Sequence, residues 1–407
     1  MAAVEPQTVV IIEAPPFPVP VFEPCLVLPA SPPGLIENRQ GSLEVIAGKE
    51  LRARGGRGWE MIRYKMDCIH GCVLEARGFN VTLGAGGRAV RTYDDRRAAV
   101  KVLFKGSLAK PHAENPMDEI AAMQLIAARG GHPNILPITA ALEDTTALYL
   151  ITPYCDGGDL FDYVCMNGGL SEDERLESEH PEAVRARELP PLTRARPLFR
   201  QLAEALAFLQ REDIAVVHRD MSLENVLAIS VDPSAAGTMS SWVLQLVVHD
   251  GGSLFVMDFG MSVRLPPPPS ADARALIAPQ SQRGKAKYMS PEVFAEAPFD
   301  AKADIWALGV MLYTMLQYSQ PYSRPHPSDA RFHAIAVLHS DARFHAIAVL
   351  HPYARFHAIA VLHELERCVS RPLTRDALHL IQWCMVATPA LRPTVAQILG
   401  HPWLTRQ

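Results

Sequence analysis

The chain has 407 residues, 48% of them hydrophobic and 20% charged, and its 39 Lys plus Arg against 44 Asp plus Glu leave a net charge of −5. That length suits two or three domains of ~150 residues, or one large two-lobed domain with a tail. The composition excludes a fully disordered or collagen-like chain, the mild acidity argues against a dedicated nucleic-acid binder, and seven cysteines without regular spacing argue against a disulfide framework.

No run approaches ~18 uninterrupted apolar residues, so no membrane span is expected. The start, Met1-Ala-Ala-Val-Glu5-Pro6, lacks the basic region of a signal peptide. A cytoplasmic location, or a nuclear one, is expected. Cys68-Ile-His70-Gly-Cys72 lacks the second ligand pair of a structural zinc site.

In chain order, residues 1–34 carry nine prolines. Proline removes donors and blocks helices, so 1–58 reads as an extended, mostly disordered arm. From Trp59 the texture changes. Short β-like runs appear at Trp59–Tyr64, Cys72–Ala76, Ala98–Phe104 and Leu148–Ile151. Helical patterning follows at Asp118–Ala128 and dominates after residue 195. Strands first and helices later predict an α+β chain with a small β-rich lobe and a larger helical one. Interruptions at 171–191, 232–241 and 264–280 read as surface insertions.

Residues 329–364 hold a tandem repeat. Asp-Ala-Arg-Phe-His-Ala-Ile-Ala-Val-Leu-His begins at Asp329 and again at Asp341, and a third copy begins at Tyr353 with its first residue changed. Twelve residues advance a helix by about 3.3 turns, so successive copies rotate by about 120°. One straight helix cannot present all three on one face. The six repeat histidines are spread likewise, which argues against a metal site. The repeat is expected to be a surface insertion, two copies of which (329–352) can be deleted without unfolding the protein or lowering its activity while the copy from Tyr353 stays.

Four motifs carry chemistry: Ala98-Ala99-Val100-Lys101, then His218-Arg219-Asp220-Met-Ser222-Leu-Glu-Asn225, then Asp258-Phe259-Gly260, then Tyr288-Met-Ser290-Pro291-Glu292. In this order they resemble the eukaryotic protein kinase family. His132-Pro-Asn-Ile135, Asp304-Ile-Trp-Ala-Leu-Gly309, Leu391-Arg392-Pro393 and His401-Pro-Trp403-Leu404 extend the resemblance over 59–404. It implies a bilobal fold, with a small lobe over about 59–153 and a large one over about 154–404.

The resemblance implies ATP and Mg2+ as cofactors and proteins as substrates. Phosphoryl transfer needs positioning and charge cancellation. Asp220 would orient the attacking hydroxyl. Asn225 and Asp258 would offer hard oxygens to Mg2+. Lys101 would hold the α- and β-phosphates and pair with Glu119, which begins an apolar helical run. Val73, Ala99 and Leu227 would line the adenine site, with Thr152 as gatekeeper. Backbone groups of Pro153 and Cys155 would bond the adenine. Asp159 would be either a ribose contact or a solvated loop acid. Glu292 and Arg392 would form a buried ion pair, and Asp304 would brace the catalytic loop. Arg219 suggests control by a regulatory kinase acting on the activation loop, at Ser281 or Ser270.

Two segments compete for the phosphate loop. Leu83-Gly84-Ala-Gly86-Gly87-Arg-Ala89 is Gly-rich. The segment 59–76 instead fits the family's first two strands in length and rhythm; Met66 and Cys68 then replace two glycines, Gly71 keeps the third, and 77–97 becomes an expanded loop. This second register is the one favoured. Two further departures concern charge. Ser222 stands where Ser/Thr-type members carry Lys, and Gly284-Lys285 replaces a Gly-Thr step. An ammonium on a flexible stem could reach the same phosphate from the facing segment, so Lys285 is expected to stand in for the missing lysine. The reading is an ATP-dependent protein serine/threonine kinase, nearest in texture to the calcium/calmodulin-dependent group. The rival is a pseudokinase acting as a binding scaffold.

Overall fold

A computed structural model describes residues 8–29, 49–83, 89–108, 115–170, 195–228, 253–267, 273–332 and 373–406. The 84–88 glycines, Ser270 and the repeat beyond Phe332 lie outside the described residues. The chain divides into two compact units. One comprises Pro18–Gly131 and Leu136–Cys155; the other comprises Met1–Phe17, His132–Ile135 and Asp156–Gln407.

The strands, in order, are β1 (Thr8–Ile12), β2 (Glu23–Pro24), β3 (Leu26–Pro29), β4 (Lys49–Arg52), β5 (Arg57–Cys68), β6 (Gly71–Leu83), β7 (Ala89–Phe104), β8 (Ala140–Glu143), β9 (Ala147–Pro153), β10 (Val216–Val217), β11 (Val226–Ala228), β12 (Leu254–Val256), β13 (Val263–Arg264) and β14 (Ala273–Ile277). The first unit is built on one sheet of order β2-β8-β9-β7-β6-β5-β4-β3. Alternate side chains on each strand reach the same face. Cys72, Leu74 and Ala76 therefore join Ala98, Val100 and Val102, with Tyr149 and Ile151, in one buried cluster. The helix Pro116–Ala128 starts where Asn115 accepts from Met117 N at 3.1 Å, with proline at its first position.

In the second unit, Ala195–Leu209 buries Leu198, Phe199, Leu202, Leu206 and Leu209, the stripe of an amphipathic helix. The helix Lys302–Gln317 is buried on every side from Ala303 onward and ends at Tyr318 in the left-handed region (φ 54°). Thr394 and Gln397 close a capping box on Val395–Leu399. No helix among the described residues is long and apolar enough to cross a membrane.

Three expectations are corrected. The segment before residue 59 is not a bare arm where it is described: β1 pairs in parallel with β14, and β2, β3 and β4 join the large sheet. Thr8-Val-Val-Ile-Ile12 is a proline-free, largely β-branched run, which favours a strand. The 77–97 loop is instead the outer half of the β6–β7 hairpin, paired from Arg77↔Arg97 out to Leu83↔Ala89. Arg91 over Phe79, Arg77 over Tyr93 and the Arg91–Glu50 ion pair hold this polar extension together. The repeat, finally, begins inside the core. Asp329 accepts from the backbone N–H of Ser323, Arg331 and Phe332, and buried Phe332 packs on Trp306 and Tyr322 at 5.8 and 5.5 Å between ring centroids.

Candidate active site

In the sheet unit, the register brings the candidate nucleotide residues onto adjacent strands. Lys101 lies opposite Val73 on β6 and Leu150 on β9, and Ala99 lies opposite Thr152. Lys101 Nζ is 2.6 Å from Glu119 Oε2, and Glu119 is buried. Thr152 is buried, Pro153 ends β9, and the Cys155 thiol contacts the Pro153 carbonyl at 4.0 Å.

Strand register also bears on the phosphate loop. Cys68 pairs with Gly71 across a two-residue turn, and Gly71 lies opposite Leu103, two positions from Lys101. Burial pushes the Cys68 thiol up while the charge of Lys101 opposes it, which puts this turn within the lysine's field. A Cβ at Gly71 would collide with the Val102 carbonyl, so only glycine fits there. The Leu83↔Ala89 end lies twelve positions from Lys101 along β7, about 40 Å at ~3.3 Å per residue. Proximity therefore favours 66–71. The turn carries side chains in place of glycines: Met66 is 60% exposed and Ile69 46%.

In the other unit, Asp220 is fixed from several directions. Asn225 Nδ2 donates to its carbonyl at 2.9 Å and its Oδ2 at 2.7 Å. Lys285 N donates to Oδ1 at 2.8 Å, and Lys285 Nζ reaches Oδ2 at 3.0 Å. The same ammonium donates to Asn225 Oδ1 at 3.1 Å. Gly284 permits this approach. Its φ is +94°, and a Cβ there would lie 2.6 Å from the Arg219 carbonyl oxygen and 2.9 Å from Asp220 Oδ1. Ser222 is fully buried, and its hydroxyl has no hydrogen-bond partner among the described residues.

The loop is braced from below. Asp304 accepts from His218 N at 2.7 Å and Arg219 N at 2.9 Å, and its burial pushes its carboxyl above the ordinary range. The His218 ring lies 4.9 Å from Phe259 and bonds the Met257 carbonyl at 3.0 Å. Asp258 follows with φ 65°, a left-handed conformation that aspartate tolerates better than most residues. Arg219 donates to Gln280 Oε1 at 2.6 Å and to the Ser281 carbonyl at 3.3 Å. Burial, reinforced by Arg283, lowers its pKa to about 10. Asp159 caps the helix Leu160–Met166 by accepting from Asp162 N at 2.8 Å, and it bridges to Leu227. Arg392 meets Glu292 through two bonds of 2.7 Å with its own side chain fully buried.

Sequence reasoning paired Lys285 with a phosphate but missed its contact with Asn225. The only signal was the Gly284-Lys285 step itself. Asp220, Asn225 and Asp258 offer oxygen donors of the kind a hard metal takes.

A profile of the Protein kinase domain matches residues 81–404. It starts within β6, so it takes in the 84–89 glycines and leaves out β5 and the 71–76 stretch that lies against Lys101. Sperm motility kinase 2A of Mus musculus is 25% identical over 327 residues, covering 80% of this chain and 49% of its own. Calcium/calmodulin-dependent protein kinase type I of Schizosaccharomyces pombe is 26% identical over 319 residues, covering 78% and 74%. Serine/threonine-protein kinase PKZ1 of Phytophthora infestans is 28% identical over 313 residues, covering 72% and 62%. The chain spans about half the length of the mouse relatives it matches. With the profile covering about four fifths of the sequence, the chain belongs to the protein kinase family.

Proposed function

We propose that the chain is an active protein serine/threonine kinase. It would transfer the γ-phosphate of ATP to Ser or Thr hydroxyls of proteins. The observation that carries this reading is the Asp220–Asn225–Lys285 network, with Asp220 and Asn225 buried, built on Gly284 and braced by Asp304.

Asp220 orients the attacking hydroxyl and accepts its proton. An oxygen–phosphorus bond forms to that hydroxyl while the bond from the γ-phosphorus to ADP breaks. Lys101, aligned by Glu119, holds the α- and β-phosphates, and Lys285 supplies positive charge beside Asp220. Mg2+, when bound, neutralises charge on the phosphates; the Asp258 carboxylate fits it. A phosphate placed on Ser281 by a regulatory kinase would meet Arg219 and Arg283. Burial lowers Arg219's proton affinity when no anion is near, and an anion there would compensate both guanidinium charges.

The scaffold reading draws on Met66 and Cys68 in the phosphate turn. The deciding experiment has two steps. A thermal-shift titration with Mg2+ and ATP should raise the melting temperature. Radiolabelled transfer to a generic protein should then be seen, and Asp220→Asn should lower it by ~10²–10⁴-fold with the nucleotide shift retained. A nucleotide shift without transfer would favour the scaffold. Equal loss of nucleotide binding in Asp220→Asn would sink its assignment as the base.

A further inference from the structure

The family's metal chemistry uses two oxygen donors of this unit, the Asp258 carboxylate and the Asn225 amide oxygen. The two do not fit a metal equally well. Nothing cationic is bonded to Asp258 among the described residues; its Oδ1 accepts only weakly from Gly260 N, at 3.4 Å. Asn225 Oδ1 already holds the Lys285 ammonium at 3.1 Å.

The amide orientation is fixed by its neighbours. Nδ2 faces the carbonyl and carboxylate of Asp220, both acceptors, and Oδ1 faces the ammonium, a donor. Flipping the amide would oppose oxygen to oxygen and N–H to N–H at once. The lysine is held in its turn. Its backbone N–H is bonded to Asp220 Oδ1, its Nζ to Asp220 Oδ2, and Gly284 fixes its approach. A divalent ion bound to Asn225 Oδ1 at ~2.1 Å would share its donor with a cation 3.1 Å away. Both would compete for Asp220 as well.

We infer that the Lys285 ammonium occupies the position of a second metal ion, so that this kinase binds its nucleotide with one divalent ion, held through Asp258. Buried Ser222 contributes no competing charge from the other wall. An ammonium has three N–H donors, and two are engaged here. The third remains for a phosphate oxygen. The inference rests on the nucleotide-binding reading above and adds to it the metal count and the residue that sets it.

The test counts Mn2+, standing in for Mg2+, by electron paramagnetic resonance on the full chain saturated with a non-hydrolysable ATP analogue. Wild type should bind one Mn2+ per chain. Lys285→Thr, which frees Asn225 Oδ1 and Asp220, should bind two. Adding Asn225→Ala to that variant should return the count to one, and Lys285→Arg, which keeps the charge, should stay at one. Two ions in wild type, or one in folded Lys285→Thr, would overturn the inference while leaving the kinase reading intact. Analogue and Mn2+ bound by neither protein would overturn the nucleotide reading, and this inference with it. Should Lys285→Thr fail to fold, the wild-type and Lys285→Arg counts still decide: two ions in either sinks the idea.

Discussion

The candidate residues of the two units are held in opposite ways. In the helical unit, Asp220 is 7% exposed and bonded to Asn225, Lys285 N and Lys285 Nζ. In the sheet unit, the turn beside Lys101 exposes Met66 and Ile69 and packs tightly at His70 and Gly71. The residues proposed for chemistry sit where neighbours fix their rotamers. The departures from the family's glycines sit on a hairpin tip, where a side chain can turn to solvent. Change has been absorbed where the backbone had room, and compensated by charge where it had none.

The largest effect should come from breaking the helical unit. Arg392→Met leaves Glu292 as a buried acid without its partner, at a cost of ~3–5 kcal/mol. Chemical denaturation should show the loss, and a change below ~1 kcal/mol would mean that the pair is solvated in solution.

The repeat gives the next test within the same unit. Deleting 341–364 keeps Asp329 and Phe332 and should leave the melting temperature nearly unchanged, since loop length costs little closure entropy. Deleting 329–352 removes the same number of residues but also the Phe332 packing and the Asp329 cap. It should cost about 3 kcal/mol, and an unchanged melting temperature would show that the Phe332 packing does not hold this part of the unit.

In the sheet unit, the pair Met66→Gly and Cys68→Gly should tighten nucleotide binding several-fold, because glycine lets backbone N–H groups approach phosphate. The strand should lose about 1–2 kcal/mol in exchange, about 0.5–1 for each glycine. Unchanged affinity in a fluorescent-nucleotide titration would show that this turn does not meet the phosphates.

The smallest effect is a pH dependence. His401 Nδ1 accepts from Trp403 N at 3.1 Å, and its other nitrogen is 2.9 Å from His379 Nδ1. Burial first, and then His379, hold His401 below the ordinary histidine range; burial acts likewise on His132. A depressed folded value means that the fold prefers the neutral ring. The associated stability is therefore present above the unfolded value of ~6.5 and is lost as pH falls through the lower folded value. Melting temperature should drop between pH 7 and 5, and the drop should shrink in His401→Asn, which keeps a helix cap. An identical pH profile in the variant would assign the effect elsewhere.

Much of the site was legible in the sequence because its chemistry is local. Asp220 and Asn225 are five residues apart on one loop, and Glu119 is the only Glu between Asp118 and Glu143 and begins an apolar run. What escaped notice depends on partners distant in sequence. The β6–β7 extension is rich in Arg and Asp and lacks apolar alternation. It is held by Glu50 and by ring–guanidinium contacts across strands, which no local pattern reveals. Nine prolines hid a β-branched run whose partner lies beyond residue 270. Lys285 and Asn225 are sixty residues apart, and only Gly284's close approach brings them together.

The β1–β14 pairing has a consequence for biosynthesis. Thr8 pairs with Ala273, so during synthesis β1 must wait for 265 further residues before its partner exists. At ~5–20 residues per second that is roughly 13–50 s of exposure for a β-branched segment. Parallel pairing at such separation is also slow to form. A fusion partner placed directly ahead of Thr8 would act on this pairing step.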